Sequence, residues 1–434
     1  MNKILNAENK NFDKKLTRYL ELRKKISYSK ISIVKKILSD VKSKKDLSII
    51  YYEKKFTGIK KLNKKKLSFS KSEIKSALKQ LNKRVKRDID IAYNRILSFH
   101  KKQSLKTFSI TDKLKNRLSY RTKPIDKIGV YVPGGKASYP SSVLMNCIPA
   151  IVAGVSEIYL TVPCLNKAIN LAVLYAAKKC KVKKIYKIGG AQAIAAFAYG
   201  TDAINKVDKI IGPGNEFVAM AKKEVFGDVG IDMIAGPSEV TVVADKYSNP
   251  EWMAADLIAQ AEHDENSQSI LVSDNRELIT NVKKFIDIQK KFLPKRKIIS
   301  SSLKNYGLFI YAKNKNKVAR VINKISPEHL EICTKKPESY LKLIKNAGSI
   351  FLGAFSPEAM GDYIAGPNHV LPTSGTARFS SGLSVIDFLK RQSVIKISKS
   401  GIERLGPSVI NLANYENLHG HAASIKMRIK KGNI

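Results

Sequence analysis

At 434 residues the chain is too long for one small core and calls for two to four structural units. Its hydrophobic and charged shares, 44% and 26%, exclude wholesale disorder. No run approaches the roughly 18 uncharged apolar residues that a membrane-spanning helix needs.

Lys and Arg number 79 against 36 Asp and Glu, a formal net charge of +43. The lysines recur among regularly spaced Ile and Leu, as on solvated helix faces, and no RNP-like, zinc-finger or helix-turn-helix pattern accompanies them. A nucleic-acid partner is therefore not expected. The cysteines Cys147, Cys164, Cys180 and Cys333 form no CxxC pair and read as free thiols in a reducing compartment. With no apolar secretory run in MNKILNAENKNFDKKL, a cytoplasmic location is the expectation.

From Met1 to about Ser119 the apolar period is helical, as in SEIKSALKQLNKRVKRDIDIAYNRILSFHKK. The texture changes at Pro124. IDKIGVYVPGG is a short strand stopped by Pro133, Gly134 and Gly135, and strands then alternate with helices through EIYLTVP, KKIYKIGG, AQAIAAFAYGT, DKIIGPGN and EFVAMAKKEVFG. A second alternation runs from EVTVVAD through WMAADLIAQAEH, SQSILVSD, a lysine-rich helix and GLFIYA to AGSIFLG. Beyond Gly375 a small terminal unit ends in LHGHAASIKMRIKK. The fold class predicted is α/β: two incomplete Rossmann-like, doubly wound units, a helical N-terminal arm and a small C-terminal unit.

VPGGK, KIGGAQ and IGPGNE each place flexible backbone at the carboxyl end of a strand, where open α/β sheets bind ligands, yet none is GxGxxG. The histidines are more informative. Of six, all but His100 lie in or beside polar clusters. Gln260 and His263, three apart at a helix end, share a face. Asp362 and His421 would complete an N/O donor set suited to zinc, although a lone His at a helix end is more often a cap or surface residue. Glu328 and His329 suit proton transfer near neutral pH. The plainer reading of Ser326-Pro327-Glu328 is a helix start with Ser326 as cap.

The run GPGNEFVAMAKKEVFGDVGIDMIAGPSEVTVVAD, followed by AADLIAQAEH, SPEHLEI and GDYIAGPNHVLPTSGTAR, resembles the histidinol dehydrogenase family over about Ile125 to the C-terminus. The resemblance implies a zinc- and NAD-dependent oxidation of L-histidinol through a bound aldehyde to L-histidine, with two NAD consumed, as the last step of histidine biosynthesis. It implies zinc ligands Gln260, His263, Asp362 and His421, the last from the partner subunit of an intertwined homodimer with shared sites. It further implies His329 as general base, Glu328 as activator of water, Ser238, His369 and Glu416 as substrate contacts, and Tyr131, Gln192 and Asn215 as NAD contacts. His419, two residues before His421, is the rival ligand, but the spacing from Glu416 favours His421.

The corresponding division is an arm at 1–26, a first α/β domain of 27–130 and 239–380 carrying most metal and catalytic residues, an NAD-binding α/β domain at 131–238, and a small unit at 381–434. Three rival readings remain at this stage. They are a zinc and NAD dehydrogenase of another small amino or hydroxy alcohol, a non-catalytic basic relative that binds nucleic acid, and a metal-dependent hydrolase that would act without NAD.

Overall fold

The computed structural model describes residues 3–22, 28–103, 105, 107–134, 139–163 and 170–429. Cys164 and the second half of the VPGGK turn, from Gly135, lie outside them; Cys147, Cys180 and Cys333 are free and buried. The chain divides into a large unit, Met1–Gln103 with Asp126–Asp387, and a small one, Ser104–Ile125 with Phe388–Ile434.

In chain order the strands are β1 (Ile4–Asn6), β2 (Ser109–Thr111), β3 (Arg117–Pro124), β4 (Lys127–Tyr131) and β5 (Glu157–Thr161). Next come β6 (Lys184–Tyr186), β7 (Lys209–Ile211), β8 (Gly230–Ile231), β9 (Glu239–Ala244) and β10 (Gln268–Ser273). The last are β11 (Gly307–Tyr311), β12 (His329–Ile332), β13 (Ser349–Leu352) and β14 (Leu389–Lys396). The large unit holds two parallel sheets, ordered β6-β5-β4-β7-β8 and β1-β11-β10-β9-β12-β13. Taken in chain order, five strands of each run 3-2-1-4-5, so each sheet reverses direction of growth beside its first strand. That reversal defines the crevice where such sheets take ligands. The small unit contains the antiparallel sheet β14-β3-β2.

The six-stranded sheet is covered on both faces, which is why its strands read as unbroken apolar runs. Alternate residues go to opposite sides. Val240, Val242, Leu271 and Phe309 pack with Leu257, Val282 and Leu303 of helices on one face. Val243, Ile270, Val272, Leu308 and Ile310 pack with Leu16, Val321 and Ile322 on the other.

The N-terminal region departs from the expected division. Residues 4–6 are a strand of the six-stranded sheet and Phe12–Glu21 a helix in its core, so that stretch is not a free arm. The helices Tyr28–Lys44 and Asp46–Thr57 bury Val34, Ile37, Val41, Ile49 and Tyr52 against Tyr131, Tyr159 and Phe197, and so belong with the five-stranded sheet rather than with the domain of 239–380. Strand β4 runs through the expected boundary at 130/131. The helical reading to Ser119 misses β1, β2 and the start of β3, all too short or too polar to show an apolar alternation.

Candidate active site

Two groups of polar residues sit on the two sheets. The first lies at the amino edge of the six-stranded sheet, where β9 opens with Glu239 and β12 with His329. Ser326 closes the preceding helix in a left-handed conformation (φ 51°), and Pro327 and Glu328 lead straight into β12. The helix-start reading of Ser326-Pro327-Glu328 is therefore wrong: the left-handed cap ends one helix and no other begins. A Cβ on Gly348 would sit 2.5 Å from the Glu328 carbonyl oxygen, so glycine is what lets the neighbouring chain approach this turn.

The Glu239 backbone anchors both neighbours. Its N–H donates to Glu328 Oε2 (2.8 Å), and its carbonyl lies 3.0 Å from His329 Nδ1. With Nδ1–H directed to a carbonyl, the imidazole presents the lone pair of Nε2, which is buried and without a hydrogen-bond partner. Nε2 lies 3.8 Å from Asp362 Oδ1, and Nδ1 lies 3.7 Å from Glu328 and 3.4 Å from Glu358. Burial depresses the His329 pKa, outweighing the opposing pull of the Asp362 charge, so the ring stays neutral.

Metal-binding geometry is present in the same place. The donor atoms of His263, Glu358 and Asp362 all lie within 4.8 Å of one another. His263 follows the helix Pro250–Ala261, whose start is fixed by Asn249 accepting from Glu251 and Trp252 and by Pro250 in the first turn. One turn before His263, Gln260 is fully buried with neither amide atom hydrogen-bonded. Such an amide costs about 1–3 kcal/mol per unmet group unless something else binds it. Glu358 and Asp362, four apart on the helix Glu358–Tyr363, share a face. His369 lies 3.6 Å from Asp362 Oδ1, its Nδ1 held by the Asp362 carbonyl at 2.9 Å, and burial lowers its pKa too.

Behind this group, Glu331 accepts from the Glu358 N–H (2.6 Å) and pairs with Asp256. Burial, then the Asp256 charge, pushes Glu331 well up; burial takes Asp256 up to about 6 against the lowering by its hydrogen bond to Glu331. Glu358 rises for the same reason, with Asp362, Glu331 and Glu328 adding to it. So many buried carboxylates in a chain of net charge +43 call for a local cation, and an N/O donor set without sulfur suits zinc.

The second group lines the carboxyl edge of the five-stranded sheet. Tyr131 ends β4, the Gly189–Gln192 turn follows β6, and Asn215 follows β7 and caps the helix Glu216–Val225 through Val218 N–H (3.1 Å). Tyr131 Oη accepts from Gly190 N–H at 3.1 Å, and burial takes its hydroxyl up to about 12. Tyr131 and Asn215 flank the point where the strand order reverses.

A model of the histidinol dehydrogenase family matches residues 22–429. The chain belongs to the histidinol dehydrogenase family. It is 55% identical to the histidinol dehydrogenase of Pelagibacter ubique over 99% of this chain and 100% of that one, and 44% identical to that of Rhizobium meliloti over 99% and 98%. The crystal structure of histidinol dehydrogenase from Elizabethkingia anophelis superposes with a TM-score of 0.92 at 36% identity, covering 98% of each chain. Histidinol dehydrogenases are zinc- and NAD-dependent oxidoreductases, and the donor set here fits the metal.

Of the residues singled out in the sequence, the structure brings together His263, Glu328, His329, Asp362 and His369, with Gln260 one turn away and Ser238 directly before Glu239. Glu416 and His421 belong to the small unit and are exposed. His419 Nδ1 is engaged by Asn414 Oδ1 at 3.3 Å. Sequence reading missed Glu358, Glu331 and Asp256. The four-residue spacing of Glu358 and Asp362 was the available signal for the first; nothing local marks the other two. Among the described residues no helix is long and apolar enough to cross a membrane.

Proposed function

We propose that this chain oxidises L-histidinol through an enzyme-held aldehyde to L-histidine, passing two hydrides in turn to two NAD+. The observation that carries this reading is His329: a buried neutral imidazole whose unpartnered Nε2 lies beside the His263, Glu358 and Asp362 cluster.

Gln260, His263 and Asp362, with His421 from a partner subunit, would hold zinc, and Glu358 lies among the same donors. When bound, zinc supplies a fixed charge that orients the substrate's nitrogen donors, and NAD+ supplies the hydride acceptor. Ser238, His369 and the partner's Glu416 position the rest of the substrate, and Tyr131, Gln192 and Asn215 contact NAD+.

In the first oxidation the alcohol carbon loses hydride while His329 Nε2 takes the hydroxyl proton. The resulting aldehyde stays in place while Glu328, held through Oε2 by the Glu239 N–H, orients water for attack on the carbonyl carbon. In the second oxidation the hydrate loses hydride from carbon and its hydroxyl proton goes to His329, leaving the carboxylic acid. Burial, which lowers the His329 pKa, favours release of the first proton to solvent before the second oxidation, so that the ring is neutral again and can accept the second.

A panel of alcohols tests the reading. L-histidinol is expected to reduce NAD+, whereas amino alcohols lacking the imidazole are expected to react at least about 100-fold more slowly, because the donors aimed at that ring are left unpaired. Equal rates with a simple amino alcohol would transfer the activity to another substrate.

A further inference from the structure

The mechanism makes no use of Glu53, although it is among the most deeply buried carboxyl groups in the chain. It projects from the helix Asp46–Thr57 and is 1% exposed. Its Oε1 accepts two hydrogen bonds, from Gly189 N–H at 3.0 Å and from Gln192 Nε2 at 2.9 Å. Gly189 is the residue before the helix Gly190–Tyr199, so Glu53 meets the positive end of that helix. Burial nevertheless pushes its carboxyl up to about 7, against the lowering from both hydrogen bonds. A group kept at that cost has work to do beyond packing.

Its effect on Gln192 is specific. With Nε2 committed to Glu53, the amide can turn only one way, and Oε1 is left buried and without a partner. Oε1 is confined as well: a Cβ on Gly190 would lie 2.8 Å from it, and Gly190 has a φ of +62° that side chains rarely adopt. Gly190 N–H in turn binds Tyr131 Oη, which couples the turn to β4. A fixed acceptor beside a buried carboxyl is a pair that favours an N–H or O–H donor over phosphate oxygens.

We propose that Glu53 is a positioning residue for the cofactor, orienting the Gln192 amide so that its carbonyl oxygen accepts a hydrogen bond from a neutral donor group of NAD+, a ribose hydroxyl or the carboxamide NH2. The proposal rests on the reading that Gln192 contacts NAD+. It also places the pyrophosphate away from the Gly189–Gln192 turn, because Glu53 and Tyr131 already take the Gly189 and Gly190 N–H groups that a phosphate would use.

The experiment compares E53M, E53Q, Q192M and the double variant E53M/Q192M as full-length, zinc-loaded protein. The readouts are KM for NAD+, kcat, KM for histidinol, zinc content and direct NAD+ binding by calorimetry. E53M is expected to raise the KM and dissociation constant for NAD+ about ten-fold, with kcat, histidinol KM and zinc changed less than about two-fold. E53Q keeps a carbonyl acceptor at the same place and is expected to stay within about three-fold of the parent. The double variant should bind NAD+ no more weakly than Q192M, since Glu53 acts through Gln192.

If E53M does not fold, E53D, which draws the carboxyl back by one methylene, takes its place: NAD+ affinity lost in E53D yet equal in E53D/Q192M and Q192M supports the proposal, and an unchanged affinity in E53D or a further loss in E53D/Q192M overturns it. Unchanged NAD+ affinity in E53M, while Q192M loses it, overturns the positioning role and leaves the cofactor site standing. Unchanged affinity in Q192M removes the cofactor reading of this turn and the proposal with it.

Discussion

Gln260 offers a test in which one substitution should change sign with the metal. The residue is fully buried, with both amide atoms unpaired. In metal-free protein each of the two unmet groups costs about 1–3 kcal/mol, so Q260L, of similar volume and without polar atoms, should stabilise that form by about 2–6 kcal/mol. At about 2.1 cal/mol/K per residue, unfolding 434 residues carries roughly 0.9 kcal/mol per degree, so Tm should rise by about 2–7 °C. With zinc at 1,000 times its dissociation constant, the parent gains about 4 kcal/mol, whereas a variant that has lost a ligand gains far less. Scanning calorimetry with chelator and with zinc, together with zinc content per chain, reads both effects. A Q260L protein that is less stable than the parent without metal, yet shows the parent's full zinc-induced rise in Tm, would refute the assignment.

Further predictions concern the two half-reactions, the subunits and pH. E328Q should release one NADH per site at near-parent rate and the second about 100-fold or more slowly, a split visible in single-turnover traces; equal slowing of both removes Glu328 from the water step. If sites are shared across a homodimer, inactive H421A and H329N chains mixed in equal amounts should regain about a quarter of parent activity, because half the dimers then carry one intact site. Mixtures that stay inactive while exchanging subunits contradict the sharing. Glu53 has a folded pKa raised from 4.5 to about 7, so the folded state holds the extra proton and stability falls as pH climbs between those values, by about 3 kcal/mol in all. E53Q should flatten that slope, seen as Tm against pH; a slope unchanged in E53Q means the carboxyl is not titrating in that window.

The apolar strands of both parallel sheets are legible in the sequence because each is buried on two faces, as the alternation of Val240 and Val242 against Val243 shows. Their order is not, since periodicity carries no information about neighbours. The stripe Val34, Ile37, Val41 tells that the helix Tyr28–Lys44 buries a face, but not that its partner is the five-stranded sheet. Chemistry-bearing residues with local signatures, such as Gln260 with His263 and Glu328 with His329, are visible as pairs. Their convergence with Asp362 depends on β9 and β12 lying side by side, which only the fold supplies. Glu53 reads as one more charge beside Lys54 and Lys55 at the end of its helix, and its burial against Gly189 is a tertiary fact. The turn at Ser326-Pro327 misleads because Ser before Pro is a common helix start, whereas here a left-handed Ser326 ends one.

The chemistry proposed for the site around His329 is a four-electron oxidation. NADH formed at 340 nm from a limiting amount of L-histidinol, with and without a chelator, tests it most directly. Two NADH per histidinol, lost on chelation and restored by zinc, is the predicted result; one NADH per histidinol, or turnover untouched by metal removal, would contradict it.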